Sequence, residues 1–144
     1  MENNMFCFQC QETAKGFGCT LKGVCGKNAT TARAMDLLLF VVRGVSVAAD
    51  QLHQHSLPVG EEVDNFIVDA LFWTITNANF DDESIMKRID KGLAMRDDLK
   101  RQAATEGIPL PEVDELSWTG NRAAYDAKAA TVGVLRERTK ICVH

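Results

Sequence analysis

The sequence predicts an all-α protein, an antiparallel three-helix bundle that carries a cysteine-rich loop at its N-terminus. Apolar residues recur at three- and four-residue steps over three long segments, which indicates amphipathic helices. Short polar or glycine- and proline-containing turns separate these segments, and helices joined by short connections favour an up-down-up arrangement. Four of the five cysteines lie within residues 7–25. We therefore divide the chain into a loop (1–28), a bundle (29–107) and an extended linker with a short helix and C-terminal tail (108–144).

The N-terminal loop shows no sustained period of two or of 3.6 residues. Residues 5–28 contain four glycines, at positions 16, 18, 23 and 26. Such a segment is expected to be organised around something other than side-chain packing.

The three main helices follow from their apolar periods and end signals. The first is predicted over residues 29–53, with Thr30 or Thr31 as its N-cap. A turn at 56–60 precedes the second, over residues 61–77. The third begins in the acidic run 81–83, which suits a helix N-terminus, and stops at Gly107.

The remainder carries weaker signals. Residues 108–120 are predicted to be extended or irregular because they contain two prolines. A short helix over residues 123–131 is indicated by its alanine content.

Composition excludes several classes of function. The net charge of −4 argues against a general nucleic-acid-binding surface, which needs clustered Lys and Arg. The longest apolar run, residues 37–42, is far shorter than the ~20 residues of a membrane span. Because Glu2 stands where a secretion signal needs basic residues, we expect an intracellular, cytoplasmic protein without a membrane partner.

The cysteine spacing indicates a site with four thiolates. Cys7, Cys10, Cys19 and Cys25 form the pattern Cys-x2-Cys-x8-Cys-x5-Cys. Isolated buried thiols fit so dense a group poorly, and disulfides need an oxidising compartment. Zinc and iron–sulfur clusters both accept four thiolates. The wide gaps favour the larger iron–sulfur cluster, with zinc as the alternative.

The glycines and lysines of the loop fit a cluster in two ways. Glycines can take positive φ and bring backbone N–H groups close to cluster sulfurs. Lys15, Lys22 and Lys27 would offset the negative charge of a cluster with its thiolates, although a solvated loop explains these lysines equally well.

Several other residues invite a functional interpretation. Cys142 stands alone and is predicted not to be a ligand. His53 and His55 are two residues apart and face different sides of a helix, so a helix C-terminus explains them better than a metal. Phe6 and Phe8 flank the first cysteine and would either shield a cluster from water or anchor the loop on the bundle.

The chain resembles the hybrid cluster proteins, also called hydroxylamine reductases. The resemblance is carried by Met5-Phe6-Cys7-Phe8-Gln9-Cys10-Gln11-Glu12-Thr13-Ala14-Lys15, by Gly18-Cys19-Thr20 and by Gly23-Val24-Cys25-Gly26-Lys27. It continues through Asp36-Leu37-Leu38, Arg43-Gly44-Val45, Trp118 and residues 127–135.

This resemblance implies an N-terminal helical region whose four cysteines, Cys7, Cys10, Cys19 and Cys25, hold a cubane that relays electrons. The shorter spacing between the second and third cysteines, which Cys10 and Cys19 match, is associated in the family with [4Fe–4S] and the longer one with [2Fe–2S]. The family reduces hydroxylamine to ammonia at a second, hybrid cluster.

The chain is much shorter than members of that family, and nothing after Leu135 matches the domains that supply the hybrid-cluster ligands. We therefore expect no catalytic residue within it and an electron-transfer module that works with a redox partner protein. A structural zinc- or cluster-stabilised interaction module is the alternative. Because the family covers this bundle with a second one, we also expect an uncovered apolar face and a homodimer or helix-exchanged oligomer.

Overall fold

A computed structural model describes residues 5–76 and 80–133 of the chain. The described part is helical, and the predicted all-α class is confirmed. Its α-helices are α1 (Ala29–Gln54), α2 (Glu61–Ile75), α3 (Asp82–Thr105), α4 (Asp114–Ser117) and α5 (Tyr125–Val132). Two 3₁₀ turns, Ala14–Gly16 and Arg122–Ala124, complete the described elements.

Helix α1 is the central element, because its apolar residues point to several sides and are buried against all the other helices. Its N-cap is Asn28, whose side chain accepts a hydrogen bond from the Thr31 amide at 2.8 Å. The prediction of Thr30 or Thr31 as the N-cap was therefore wrong. Thr31 is instead fully buried, and its hydroxyl donates to Asp82 of α3 at 2.6 Å.

The contacts between helices give the up-down-up topology. Thr31 meets Asp82 where α1 and α3 begin, and Gly44 lies against Arg96 further along both helices, so these two helices run parallel. Helix α2 runs the opposite way. Asp69 in its second half pairs with Arg88 near the start of α3 at 2.9 Å.

The segment after α3 differs from the prediction of an extended or irregular chain over 108–120, because it contains the single turn α4. Contacts with α3 stabilise this turn. Arg96 donates to the carbonyls of Glu115 at 3.1 Å and Trp118 at 2.8 Å, and Lys100 donates to that of Leu116 at 2.6 Å. These carbonyls lack partners within so short a helix.

Helix α5 forms where the alanine-rich segment predicted a short helix, and it begins two residues later, at Tyr125. Leu116, Tyr125 and Ala129 belong to the same hydrophobic core as α1. Trp118 packs edge-on against Phe40 of α1, with ring centroids 6.0 Å apart.

Helix α2 ends at Ile75, and position 77, where the prediction ended it, lies outside the described residues. No helix in the described ranges combines the length and apolar character needed to cross a membrane.

Candidate metal centre

The cysteine loop packs against the first turn of α1 through a small core of its own. Met5, Cys7, Cys19 and Ala32 are buried together there, and Ala14 and Ala29 pack against them. This cluster is separate from the main core of the bundle. Two of the four predicted ligands thus belong to the packing that attaches the loop to the bundle.

Cys7 and Cys19 face each other in an isolated antiparallel bridge. The Cys7 amide donates to the Cys19 carbonyl at 3.0 Å, and the Cys19 amide donates to the Cys7 carbonyl at 2.9 Å. Residues directly opposite in such a pair project their side chains to the same face. The backbone therefore brings the first and third predicted ligands together, although twelve positions of sequence separate them.

The other two cysteines are more accessible. Cys10 and Cys25 are half-buried, and all four cysteines of the loop are free thiols. The described residues contain no group of three or more His, Cys, Asp or Glu side chains gathered closely enough for a single metal ion. The structure thus pairs Cys7 with Cys19 and does not bring the full set together.

Lys27 reaches back from the end of the loop to Cys7. Its side chain is only 2 % exposed, and its Nζ lies 3.7 Å from the Cys7 sulfur. The same ammonium donates to the Thr74 carbonyl at the end of α2 at 3.4 Å and lies 5.9 Å from the centre of the Phe80 ring. A positive charge is therefore held inside the protein beside a predicted ligand.

The Cys7 thiol is in an electrostatically mixed environment. Burial raises the pKa of this thiol above its ordinary value, and a backbone hydrogen bond from Gln9 and the charge of Lys27 act in the opposite direction. Asp36 and Cys19 raise it further. Lys27 is thus the side-chain charge that stabilises a thiolate at this position.

The lysines of the loop are not equivalent. Lys15 and Lys22 are exposed, which agrees with their interpretation as parts of a solvated loop. For Lys27 that interpretation is wrong. Sequence reasoning grouped the three together, and the signal that distinguishes Lys27 is its place directly after Cys25-Gly26 and before the N-cap of α1.

The glycines act differently from the prediction. Gly16, Gly18 and Gly26 do have positive φ, of 70°, 130° and 96°. Their amides, however, donate to backbone carbonyls within the loop rather than to sulfurs. The amides that reach sulfurs belong to other residues: Gln9, which hydrogen-bonds Cys7, and Ala14, whose nitrogen lies 3.5 Å from the Cys19 Sγ.

Gly23 has a steric role beside the fourth cysteine. A Cβ at this position would lie 3.0 Å from the Cys25 sulfur and 3.0 Å from the Lys27 Cβ. Its backbone closes a turn, since its amide donates to the Lys27 carbonyl and its own carbonyl accepts from Gly26, both at 2.8 Å. Only a residue without a side chain leaves this space free beside the thiol.

The two phenylalanines next to Cys7 have different environments. Phe6 is half-buried and lies against Gly18, where a Cβ would come within 2.5 Å of the ring, so this ring anchors the loop internally. Phe8 is 46 % exposed.

The remaining candidates form no second site in the described ranges. His53 and His55 are exposed at the end of α1, and the His55 Nδ1 lies 2.9 Å from the Gln51 carbonyl. Asp81 caps α3 by accepting a hydrogen bond from the Glu83 amide, as the acidic run predicted. Cys142 lies outside the described residues.

These residues fit an iron–sulfur cluster in chemical terms. Four thiols supply the donor atoms that such clusters take, and a buried ammonium and a backbone amide face two of the sulfurs. Gly23 allows the backbone to approach the Cys25 sulfur closely, so this thiol stays clear of a side chain from that position.

Known proteins are similar in sequence to this chain over the loop and the bundle. A family model described as "Prismane/CO dehydrogenase family" matches residues 5–139. A hydroxylamine reductase from Bacteroides thetaiotaomicron is 52% identical over 133 residues, which is 92% of this chain and 24% of the relative. Hydroxylamine reductases from Desulfitobacterium hafniense and Nitratidesulfovibrio vulgaris are 47% and 44% identical over 92% and 91% of this chain and 24% and 25% of their own lengths. The chain thus spans about a quarter of the length of these curated relatives.

Proposed function

The chain belongs to the Prismane/CO dehydrogenase family, and from this premise we propose that its N-terminal loop binds a [4Fe–4S] cluster that transfers single electrons. The proposed ligands are Cys7, Cys10, Cys19 and Cys25. The cluster would supply one-electron redox chemistry, and the protein would set its potential through burial, hydrogen bonds and local charge.

One observation carries the proposal above all. The loop pairs Cys7 with Cys19 through two backbone hydrogen bonds and places a buried lysine ammonium 3.7 Å from the Cys7 sulfur. A lysine is almost never fully buried without a compensating partner. A thiolate that ligates an anionic cluster provides that compensation, whereas a neutral thiol provides little of it.

The spacing supports the cluster type. Eight residues separate Cys10 from Cys19, which is the shorter spacing associated with [4Fe–4S] by the family resemblance. A [2Fe–2S] cluster or zinc would be accepted by the same thiolates. Element analysis distinguishes the three.

The surface around the loop supports an encounter with a redox partner protein. Phe17, Leu21 and Val24 are 78, 79 and 66 % exposed within the cysteine loop, and Phe8 is half exposed. Apolar residues that protrude beside the cysteines are suited to a small, transient contact, the kind that electron-transfer partners form.

The relatives are named for hydroxylamine reduction, and they are about four times as long as the matched segment. We propose that these 144 residues supply electron transfer to that chemistry and do not carry it out by themselves.

Anaerobic reconstitution of the 144-residue chain tests the proposal. We expect about four iron and about four sulfide per chain, broad visible absorption that bleaches with dithionite, and an EPR signal in the reduced state. Zinc without colour would overturn the redox function, and two iron with two sulfide would overturn the [4Fe–4S] assignment. Turnover of hydroxylamine by the purified chain would contradict the proposed division of roles.

A further inference from the structure

Lys27 is the one described lysine that is almost completely buried, with 2 % of its surface exposed. Its ammonium has three neighbours from three parts of the chain: the Cys7 sulfur at 3.7 Å, the Thr74 carbonyl at 3.4 Å and the Phe80 ring at 5.9 Å. The first lies on the loop, the second at the end of α2 and the third just before α3.

Two of these neighbours attract a cation although they carry no net charge. The Thr74 carbonyl lies in the last turn of α2, where the helix dipole is negative, and the aromatic face of Phe80 is also negative. Such neutral groups stabilise a buried ammonium only in part. A negative charge would supply the remaining stabilisation, and the Cys7 sulfur, 3.7 Å away, is the charge-bearing group that the ammonium contacts directly.

We propose that Lys27 is a positioning residue that donates a hydrogen bond to the Cys7 thiolate and raises the reduction potential of the cluster bound there. The inference rests on the proposed function. Reduction adds one electron, and hence one negative charge, to the cluster and its thiolates, and the electron comes from an external one-electron donor. A fixed positive charge beside one sulfur favours the reduced state over the oxidised state.

Burial makes this effect larger than that of the other loop lysines. Lys15 and Lys22 carry the same charge but are exposed, so water and salt screen them. Lys27 lies in a region of low dielectric and cannot be screened in this way. The proposal therefore separates one lysine from two others in the same loop.

The test compares Lys27→Met, Lys27→Arg and Lys22→Met in the reconstituted chain by potentiometric titration followed by EPR. Methionine keeps the unbranched apolar part of the side chain and removes the ammonium with its charge, and arginine keeps the charge. For Lys27→Met we expect an equilibrium constant for one-electron reduction about tenfold lower, which corresponds to about 59 mV. Lys27→Arg should recover most of the difference, and Lys22→Met should match the wild-type chain.

The remaining outcomes of this experiment also decide the inference. An unchanged potential in Lys27→Met, or an equal shift in Lys22→Met, overturns it. If Lys27→Met fails to retain iron, retention of wild-type iron content by Lys27→Arg supports a need for charge, and failure of both variants overturns the electrostatic role. A wild-type chain that binds no iron overturns the proposed function and this inference together, whereas a loaded chain with an insensitive potential overturns the inference alone.

Discussion

The Thr31 hydroxyl donates a hydrogen bond to the Asp82 carboxylate at 2.6 Å and joins the first turns of α1 and α3. Thr31 is fully buried, and it lies next to Ala32, which packs against Cys7 and Cys19. This bond therefore ties the start of α1 to the start of α3 directly behind the cysteine loop.

Replacement of Thr31 by valine should destabilise the fold, because it keeps the shape of the side chain and removes the hydroxyl. A hydrogen bond to a half-buried carboxylate predicts a loss of about 1 to 2 kcal/mol in the free energy of unfolding. Urea denaturation of the wild-type chain and Thr31→Val measures it. Thr30→Val, at the exposed neighbouring position, is the control and should change the value little. Equal effects of the two variants would contradict the role given to this bond.

Gly44 of α1 allows the backbone of α4 to approach closely. A Cβ at this position would lie 2.5 Å from the Glu115 carbonyl oxygen and 3.1 Å from the Arg96 Cδ. Because the first contact is with backbone, it cannot be relieved by a rotamer change. We predict that Gly44→Ala lowers stability by about 1 to 3 kcal/mol despite the better helix propensity of alanine.

Gly92 of α3 is the matched control for Gly44. A Cβ there would meet only side-chain atoms, the Val41 Cγ1 at 2.6 Å and the Phe66 Cζ at 2.7 Å. Buried side chains can adjust more than backbone does, so Gly92→Ala should cost less than Gly44→Ala in the same denaturation experiment. A larger loss of stability for Gly92→Ala would show that the backbone of α4 can move away from α1 at less cost than the core side chains can rearrange.

Asp90 joins α3 to the last part of the described chain. It accepts hydrogen bonds from the Tyr125 hydroxyl at 2.6 Å and from Arg122 at 2.6 and 2.9 Å. Partial burial by itself would raise the pKa of Asp90, but the hydrogen bonds from Arg122 and Tyr125 and the charge of Arg122 outweigh burial and lower it.

A lowered pKa in the folded state stabilises the protein above the unfolded pKa of about 3.9, and this contribution is lost as the pH falls through the folded value. We predict that Asp90→Asn lowers Tm by about 2 to 4 °C at pH 7 and by less below pH 4. Thermal unfolding followed by circular dichroism over this range checks the prediction. Asp50→Asn, at an exposed position of α1, should show no such convergence with the wild-type chain.

The assignment of ligands predicts different effects for the five cysteines. Serine at position 7, 10, 19 or 25 should reduce the iron bound after reconstitution to about half or less, because each thiolate would hold one part of the cluster. Cys142→Ser should leave the iron content unchanged. Full iron content in any of the first four variants, or a loss in Cys142→Ser, would overturn the corresponding assignment.

Helix α2 exposes an apolar stripe to solvent. Its members follow the three- and four-residue steps of one helix face: Val68, Leu71, Phe72 and Ile75. Val68 and Phe72 are 67 and 62 % exposed. Because a contiguous apolar patch often marks an interaction site, we propose that the isolated chain forms a homodimer through this stripe.

Light scattering at micromolar concentration tests the proposed dimer. Phe72→Lys should shift the mass toward that of a monomer, and Ala104→Lys, at an exposed position near the end of α3, should not. A monomeric wild-type chain would contradict the proposal.

The long helices could be predicted from the sequence because their signals are local. Apolar residues at three- and four-residue steps define the buried faces of α1 and α3, and the acidic run at 81–83 places the start of α3 within one residue. The candidate ligands could also be proposed from spacing, since four cysteines in so short a loop are typical of a metal or cluster site.

Other features depend on contacts between distant parts of the chain. Helix α4 was missed because its stabilising donors, Arg96 and Lys100, lie on α3. Thr31 is also a possible N-cap by sequence, because threonine favours that position. Its actual partner, Asp82, is 51 positions away, so the bond between them forms only after α1 and α3 have packed.

The sequence by itself determined the helical class, the order of the main helices and the four thiols proposed as ligands, because these depend on periodicity and spacing within short segments. Only the tertiary structure decided that Cys7 faces Cys19 and that Lys27, rather than Lys15 or Lys22, is buried beside it. Lys27 becomes buried only when the loop packs against the end of α2, where its ammonium donates to the carbonyl of Thr74, 47 positions further along the chain. A charge acts strongly on its neighbour only after folding has removed the water between them.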